Sequence, residues 1–198
     1  MEMPDILEED LTEIINGVEV LTHLPICGTL ERDLDLTEII NGEVVVGPSP
    51  FSKHQGIVFN LADIIRRHVK SNQALGKVYL SPLDVIFEEG INRVQPDILY
   101  IRKENIAIIQ DWIRGVPDMV CEIVSPWSYG RDTEIKKALY EKYRVPEYWI
   151  VLPELQTIQI LTIENDNYIS HSFAAETGTV TSKVIEGLQV NINDVFEG

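Results

Sequence analysis

Short apolar segments of strand length alternate with two stretches of helical periodicity along this 198-residue chain. A helix with one apolar stripe is predicted from 53 to 69, with Ser52 as its N-cap, and a second helix from 132 to 143. Strands bounded by Gly, Pro, Asn and Asp are predicted at 43–46, 77–80, 84–87, 94–101, 119–125, 147–151, 157–163 and 168–173. This order of elements predicts an α/β fold with a mixed β-sheet flanked by helices.

Two carboxylates interrupt the apolar strand patterns. Asp97 follows Pro96 in the segment Val-Gln-Pro-Asp-Ile-Leu-Tyr-Ile, and Glu122 lies in Met-Val-Cys-Glu-Ile-Val-Ser. An ionised acid is costly to bury unless it is paired. The two acids therefore predict a charged partner, such as a metal ion or a lysine.

The second predicted helix supplies a candidate for that partner. Asp132, Lys136 and Tyr140 share one helix face by i, i+4 spacing, whereas Lys137 points about 100° away. We therefore expect Lys136 to face the acid pair. A plain salt bridge between Lys136 and Asp132 is the alternative interpretation.

These motifs, in this order, resemble the Uma-type family of putative restriction endonucleases within the PD-(D/E)XK nuclease superfamily. The likeness covers about residues 35 to 153. It departs from the superfamily pattern at Val124, where the superfamily has a lysine, and the family's helical lysine corresponds to Lys136. The motifs that carry the likeness are Glu38-Ile-Ile-Asn-Gly-Glu, Pro48-Ser-Pro, His54, Pro96-Asp97, Glu122-Ile-Val-Ser-Pro, Asp132, Lys136, Tyr140 and Val145-Pro-Glu-Tyr-Trp-Ile-Val.

The resemblance implies a metal-dependent endonuclease with a restriction-endonuclease-like fold. Asp97, Glu122 and the backbone carbonyl of Ile123 would bind Mg²⁺ or Mn²⁺, and Lys136 would neutralise charge on the phosphate during hydrolysis. DNA is the expected substrate and a homodimer the expected assembly, because cutting two strands usually takes two sites. Further candidates are Glu38 and Asp84 as additional metal ligands, and His54, Asp132 and Tyr140 as supporting residues.

A net charge of −16 argues against binding to nucleic acid, which attracts lysine and arginine. However, the acids are concentrated in the flanks, and residues 53 to 144 carry fourteen bases against twelve acids. A catalytically inactive nuclease-like scaffold that binds a protein or nucleic acid stays open as the second hypothesis. Val124 and the acidity favour the scaffold, whereas Asp97, Glu122 and Lys136 favour the enzyme.

The N-terminal region carries the octapeptide Asp-Leu-Thr-Glu-Ile-Ile-Asn-Gly twice, at 10–17 and 35–42. We predict an acidic extension over residues 1–34 and the nuclease-like domain over 35–198. Only two cysteines are present, Cys27 and Cys121, which excludes a disulfide framework. No apolar segment reaches the ~18–20 residues of a membrane span, and the chain starts with an acidic sequence unlike a signal peptide. A cytoplasmic protein without membrane contact is therefore expected.

Overall fold

The computed structural model describes residues 12–15, 18–21, 37–46, 49–71, 76–126 and 128–197, with the first two ranges described as backbone only. The chain divides into two units, Met1–Asp35 and Leu36–Gly198. Cys27, Pro48 and Trp127 lie outside the described residues. That the first unit is an extension and the second a nuclease-like domain stays a prediction.

The Thr-Glu-Ile-Ile segment of each octapeptide forms the first strand of an antiparallel pair. In the first unit, β1 (Thr12–Ile15) pairs with β2 (Val18–Leu21), and in the second unit β3 (Thr37–Ile40) pairs with β4 (Glu43–Val46) in the same register. The turn of the second hairpin is Asn41-Gly42, with φ of 53° and 83°. Positive φ at both central residues is what a two-residue hairpin turn needs, and Asn-Gly supplies it at little cost.

A six-stranded mixed sheet is the centre of the second unit. Its strand order is β13-β12-β11-β10-β8-β5, in which β10 and β11 are parallel and the other neighbours antiparallel. Its strands are β5 (Gly76–Leu80), β8 (Ile98–Arg102), β10 (Met119–Ile123), β11 (Glu147–Leu152), β12 (Thr157–Glu164) and β13 (Asn167–Ala175). This mixed sheet confirms the predicted fold class.

A second sheet has the order β4-β3-β7-β6-β9, which joins β3 and β4 to β6 (Val85–Glu88), β7 (Asn92–Val94) and β9 (Ile113–Arg114). The predicted single strand over 94–101 is wrong, because β7 and β8 are separate strands in different sheets. The break falls at Gln95-Pro96-Asp97, where proline cannot donate a hydrogen bond to a neighbouring strand. Asp97 therefore lies in the connection that enters β8, and not within a strand.

Both faces of the central sheet are covered by apolar packing. Residues that alternate along β8 separate into two cores, Ile98 and Tyr100 in one, and Leu99 and Ile101 in the other. Helix α1 (Ser52–Ser71) packs on the first face through Ile57, Leu61 and Ile65, as its apolar stripe predicted. Cys121 is fully buried in the same core.

The second predicted helix begins with a π-helical segment, Arg131–Lys136, and continues as α2 (Lys137–Lys142). The expectation of a regular α-helix is therefore wrong for its first turns. A π-helical turn widens the helix and is often found at functional sites. Here the hydroxyl of Tyr148 donates a hydrogen bond of 2.8 Å to the carbonyl of Asp132.

The C-terminal part was not predicted in detail. A small pair, β14 (Thr179–Thr181) and β15 (Gln189–Asn191), is followed by a short helix, α3 (Asn193–Phe196). Fully buried Glu147 accepts hydrogen bonds from the amides of Lys183 and Val184, which fixes this segment to the start of β11. No helix in the described part of the chain is long and apolar enough to cross a membrane.

Candidate active site

Five elements of the second unit bring acidic and basic side chains to one open cavity of about 560 Å³. The chain positions that contribute lie far apart, on β3, α1, the segment before β8, β10 and the π-helical segment. The alternation of side chains along β10 explains the position of Glu122, which points to the same face of the sheet as Val120 and Val124. The charged residues that line the cavity are Glu38, His54, Asp97, Glu122, Arg131, Asp132 and Lys136.

Lys136 lies at the centre of the acidic residues. Its Nζ is 2.8 Å from Oε1 of Glu38 and 2.9 Å from Oε1 of Glu122, and it is only 3% exposed. A carboxylate oxygen of Asp132 is 3.9 Å away. Tyr140 donates a hydrogen bond of 2.6 Å to the same oxygen of Glu122. Burying an ammonium group is tolerated only with such partners, so the acids and the lysine stabilise one another.

Lys136 faces Glu122, one of the two acids that its sequence position predicted, but its ion pairs among the described residues do not include Asp97. The ammonium group of Lys136 contacts Glu122. Lys137 is half-buried and is not among the described residues that line the cavity. The contact to Asp132 is the longest of the three ion pairs, so the pairing is not confined to the i, i+4 alternative. The catalytic role of Lys136 stays a prediction.

Asp97 is held by a different set of contacts. Its Oδ2 accepts a hydrogen bond of 2.7 Å from the amide of Ile123 and lies 3.2 Å from Nε2 of His54. The first contact ties the entrance of β8 to the end of β10, and the second ties it to the first turn of α1. Ile123 contacts Asp97 through its N–H, and the role of its carbonyl as a metal ligand stays a prediction.

Burial and crowding raise the pKa of Glu122 to about 8. Desolvation is the largest cause, Lys136 opposes it, and the carboxylates of Asp132, Asp97 and Glu38 add to it. Burial by itself would lower the pKa of Lys136, but the surrounding carboxylates, Glu122 first, raise it above its ordinary value. Lys136 therefore stays protonated, and Glu122 releases its proton at a higher pH than an exposed glutamate.

Two further groups at the cavity have raised pKa values. For Asp132 the main cause is burial, which Lys136, Ser128 and Arg131 partly offset. For His54 burial lowers the pKa, but the hydrogen bond and charge of Asp97 reverse the direction. More acids than bases thus share a partly dehydrated space, and perturbed pKa values of this kind are typical of functional sites.

The raised pKa of Glu122 predicts that wild-type protein loses stability as pH rises from about 4.5 to about 8. In this window the unfolded chain releases the proton and the folded chain retains it, so the folded state becomes relatively less stable. A Glu122→Gln variant cannot titrate there. We expect the difference in melting temperature in EDTA, Glu122→Gln minus wild type, to move in favour of the variant between pH 5 and pH 8.5. An equal difference in melting temperature at both pH values, measured by calorimetry, would contradict the raised pKa of Glu122.

The oxygen donors at the cavity fit a hard divalent cation. Among the described residues, hydrogen bonds and ion pairs reach only one oxygen of each of Glu38, Asp97 and Glu122. Oδ1 of Asp132 is buried and accepts no hydrogen bond within the same ranges. Mg²⁺ typically uses one or two carboxylates and keeps several waters or substrate oxygens.

The carboxylates are not arranged as a closed metal cage. No group of three or more His, Cys, Asp and Glu side chains in the described ranges is placed to hold a metal ion. A divalent ion at this cavity would therefore have at most two carboxylate ligands, with water and substrate completing its shell. Asp84 is not among the residues that line the cavity. Its Oδ1 accepts a hydrogen bond of 2.8 Å from the side-chain amide of Gln95, and its Oδ2 lies 3.5 Å from Arg93. Its role as a metal ligand stays a prediction.

Sequence reasoning assigned no role to Gln95, which connects two of the acids. Its backbone N–H donates to Oε1 of Glu38 at 2.8 Å, and its side chain donates to Asp84. A polar amide directly before Pro96-Asp97, inside an otherwise apolar segment, was the available signal. Its partners could not be identified, because Glu38 is 57 residues away in the sequence.

Comparison with known proteins gives a family and a fold. Residues 20–193 match the family model Uma2, described as "Putative restriction endonuclease". The structure is similar to the crystal structure of a putative nuclease belonging to DUF820 from Anabaena variabilis ATCC 29413, with a TM-score of 0.66 and 20% sequence identity. That similarity covers 81% of this chain and 89% of the other. No curated protein matches this chain.

Proposed function

This chain belongs to the Uma2 family of putative restriction endonucleases, and on that premise we propose that it hydrolyses phosphodiester bonds in DNA with the help of Mg²⁺ or Mn²⁺. The observation that carries the proposal is the position of the Lys136 ammonium group, which bridges Glu38 and Glu122 at an open cavity. A buried cation surrounded by acids is costly to maintain for stability alone. Phosphoryl transfer, in contrast, requires both charges at one place.

Asp97 and Glu122 would hold the metal through the oxygens that the described contacts leave free. A bound divalent ion supplies a Lewis acid and activates water at neutral pH. His54 and the amide of Ile123 fix the orientation of Asp97, and Tyr140 fixes that of Glu122. Lys136, which stays protonated, would neutralise negative charge as the phosphorus becomes five-coordinate.

The direct test is cleavage of supercoiled plasmid DNA by the purified full chain. We expect nicked and linear products with Mn²⁺ or Mg²⁺ and intact plasmid with EDTA. Single-stranded DNA and RNA substrates belong in the same experiment, because the family match does not specify the nucleic acid. If none of these substrates is cut with Mn²⁺ present, the inactive scaffold becomes the better hypothesis.

We also propose that the active form is a homodimer. One cavity of this kind cuts one strand at a time, so a double-strand break by a single assembly requires two copies. Light scattering coupled to gel filtration measures the assembly directly. A monomeric mass at the concentrations used for cleavage would limit the enzyme to nicking.

A further inference from the structure

Five apolar residues that line the cavity are exposed to solvent. They are Val46, Pro50, Phe51, Leu80 and Pro82, which we call the apolar rim. Val46 is 71% exposed, Phe51 67% and Leu80 43%. Exposed apolar side chains that cluster next to a polar site often mark a binding surface. The apolar rim therefore suits a ligand with an apolar face.

The cations at the cavity lie next to its acids. Lys136 pairs with Glu38 and Glu122, His54 contacts Asp97, and Nε of Arg131 is 3.5 Å from Asp132. The apolar rim itself contributes no basic side chain. Duplex DNA is bound chiefly by lysine and arginine that replace counterions along both phosphate backbones. The apolar rim therefore lacks the chemistry that attracts the outside of a duplex.

The backbone of Phe51 is joined to the first turn of α1. The carbonyl of Phe51 accepts a hydrogen bond of 3.1 Å from the amide of Gln55 in the first turn of α1. His54, in the same turn, contacts Asp97 at 3.2 Å. The first turn of α1 thus contacts both the backbone of Phe51 and the acid that is expected to bind the metal. Phe51 lines the same cavity as that acid.

The cavity volume of about 560 Å³ lies within the range of ~300–1,000 Å³ that is usual for small-ligand sites. A nucleotide matches both parts of this cavity, because its phosphate suits the charged residues and its flat base suits the apolar rim. Bases in a duplex are already stacked on their neighbours, whereas an unpaired base has a free face for an aromatic side chain.

We propose that the apolar rim is a base-binding subsite, in which Phe51 stacks on an unpaired base beside the phosphodiester to be cut. The proposal rests on the proposed function and specifies its substrate. Single-stranded DNA, or DNA unpaired at the cleavage position, is preferred over regular duplex.

The test compares Phe51→Ala with Phe59→Ala in the full chain. Phe59 is a matched control, because it is 69% exposed on α1 and does not line the cavity. The substrates are one fluorescently labelled oligodeoxynucleotide, as a single strand and annealed to its complement, with Mn²⁺. Wild type and Phe59→Ala should cut the single strand at least ~10-fold faster than the duplex. Phe51→Ala should lower kcat/KM on the single strand by ~5–100-fold, mainly through KM, as loss of one stacked base predicts.

A second measurement separates the subsite from catalysis. Fluorescence of a single-stranded oligonucleotide with 2-aminopurine is recorded without metal, where stacking on Phe51 should quench it in wild type but not in Phe51→Ala. If wild type cuts DNA but Phe51→Ala behaves like Phe59→Ala, the subsite is overturned and the proposed function stands. If wild type cuts no nucleic acid, the proposed function fails, and the quenching alone decides on the subsite. Faster cutting of duplex than of single strand would also overturn the proposal.

Discussion

A Lys136→Met variant is expected to lose both stability and DNA cleavage, whereas Lys137→Met, one residue further along the chain, keeps both. Lys136 is the cation in contact with Glu38 and Glu122, and methionine fills a similar volume without the charge. Removing one partner of a buried ion pair typically costs ~3–5 kcal/mol, because the remaining charges are left unpaired. Lys137 is half-buried, and its substitution should change the free energy of unfolding by less than ~0.5 kcal/mol.

Urea unfolding at pH 8 measures the stability difference between the two variants. Cleavage is then measured at a temperature at which Lys136→Met remains folded by circular dichroism. We expect a loss of ~10²–10³-fold, the usual effect of removing one group that stabilises charge in the transition state. Equal cleavage by the folded Lys136→Met variant and wild type would remove the lysine from the mechanism, and would favour a purely structural ion pair.

An Asp97→Asn variant is expected to abolish metal-dependent cleavage and the stabilisation by Mg²⁺ or Mn²⁺. Wild type should melt at a higher temperature as the ion concentration rises, because the ion binds the folded state only. Asparagine retains an oxygen that can accept the N–H of Ile123 but lacks the negative charge that attracts a cation. The loss of activity should exceed the ~10–100-fold that removal of a ligand's hydrogen-bonding partner costs.

Asp118→Asn is the matched control for this experiment. Asp118 is buried at the start of β10, and its Oδ2 accepts the amide of Arg102 at 2.8 Å, much as Asp97 accepts that of Ile123. It does not line the cavity. A metal-dependent rise in melting temperature should therefore persist in Asp118→Asn and disappear in Asp97→Asn. Equal shifts in both variants would place the metal elsewhere or make its binding nonspecific.

Local sequence determined most of the strands and the long helix. The period-two and continuous apolar patterns located β10, β11 and the β12–β13 hairpin within a few residues, because a half-buried or buried strand needs that composition. The Thr-Glu-Ile-Ile strands of the two octapeptides likewise pair with the following strand in the same register. These features depend on neighbouring residues alone, so a single sequence is sufficient to predict them.

The acid pair and the helical phase of Lys136 could also be predicted from the sequence, since charges in apolar segments are rare and side-chain direction repeats with the helix.

Long-range contacts decided the other features of the site. Glu38 reaches Lys136 only because the β3 hairpin pairs with β7, and Gln95 gains two acids as partners because Pro96 ends one strand before the next begins. The tertiary structure likewise placed Asp84 outside the cavity and Phe51 at its rim. Local periodicity specifies which face a side chain occupies, whereas the packing of distant segments decides what that face meets.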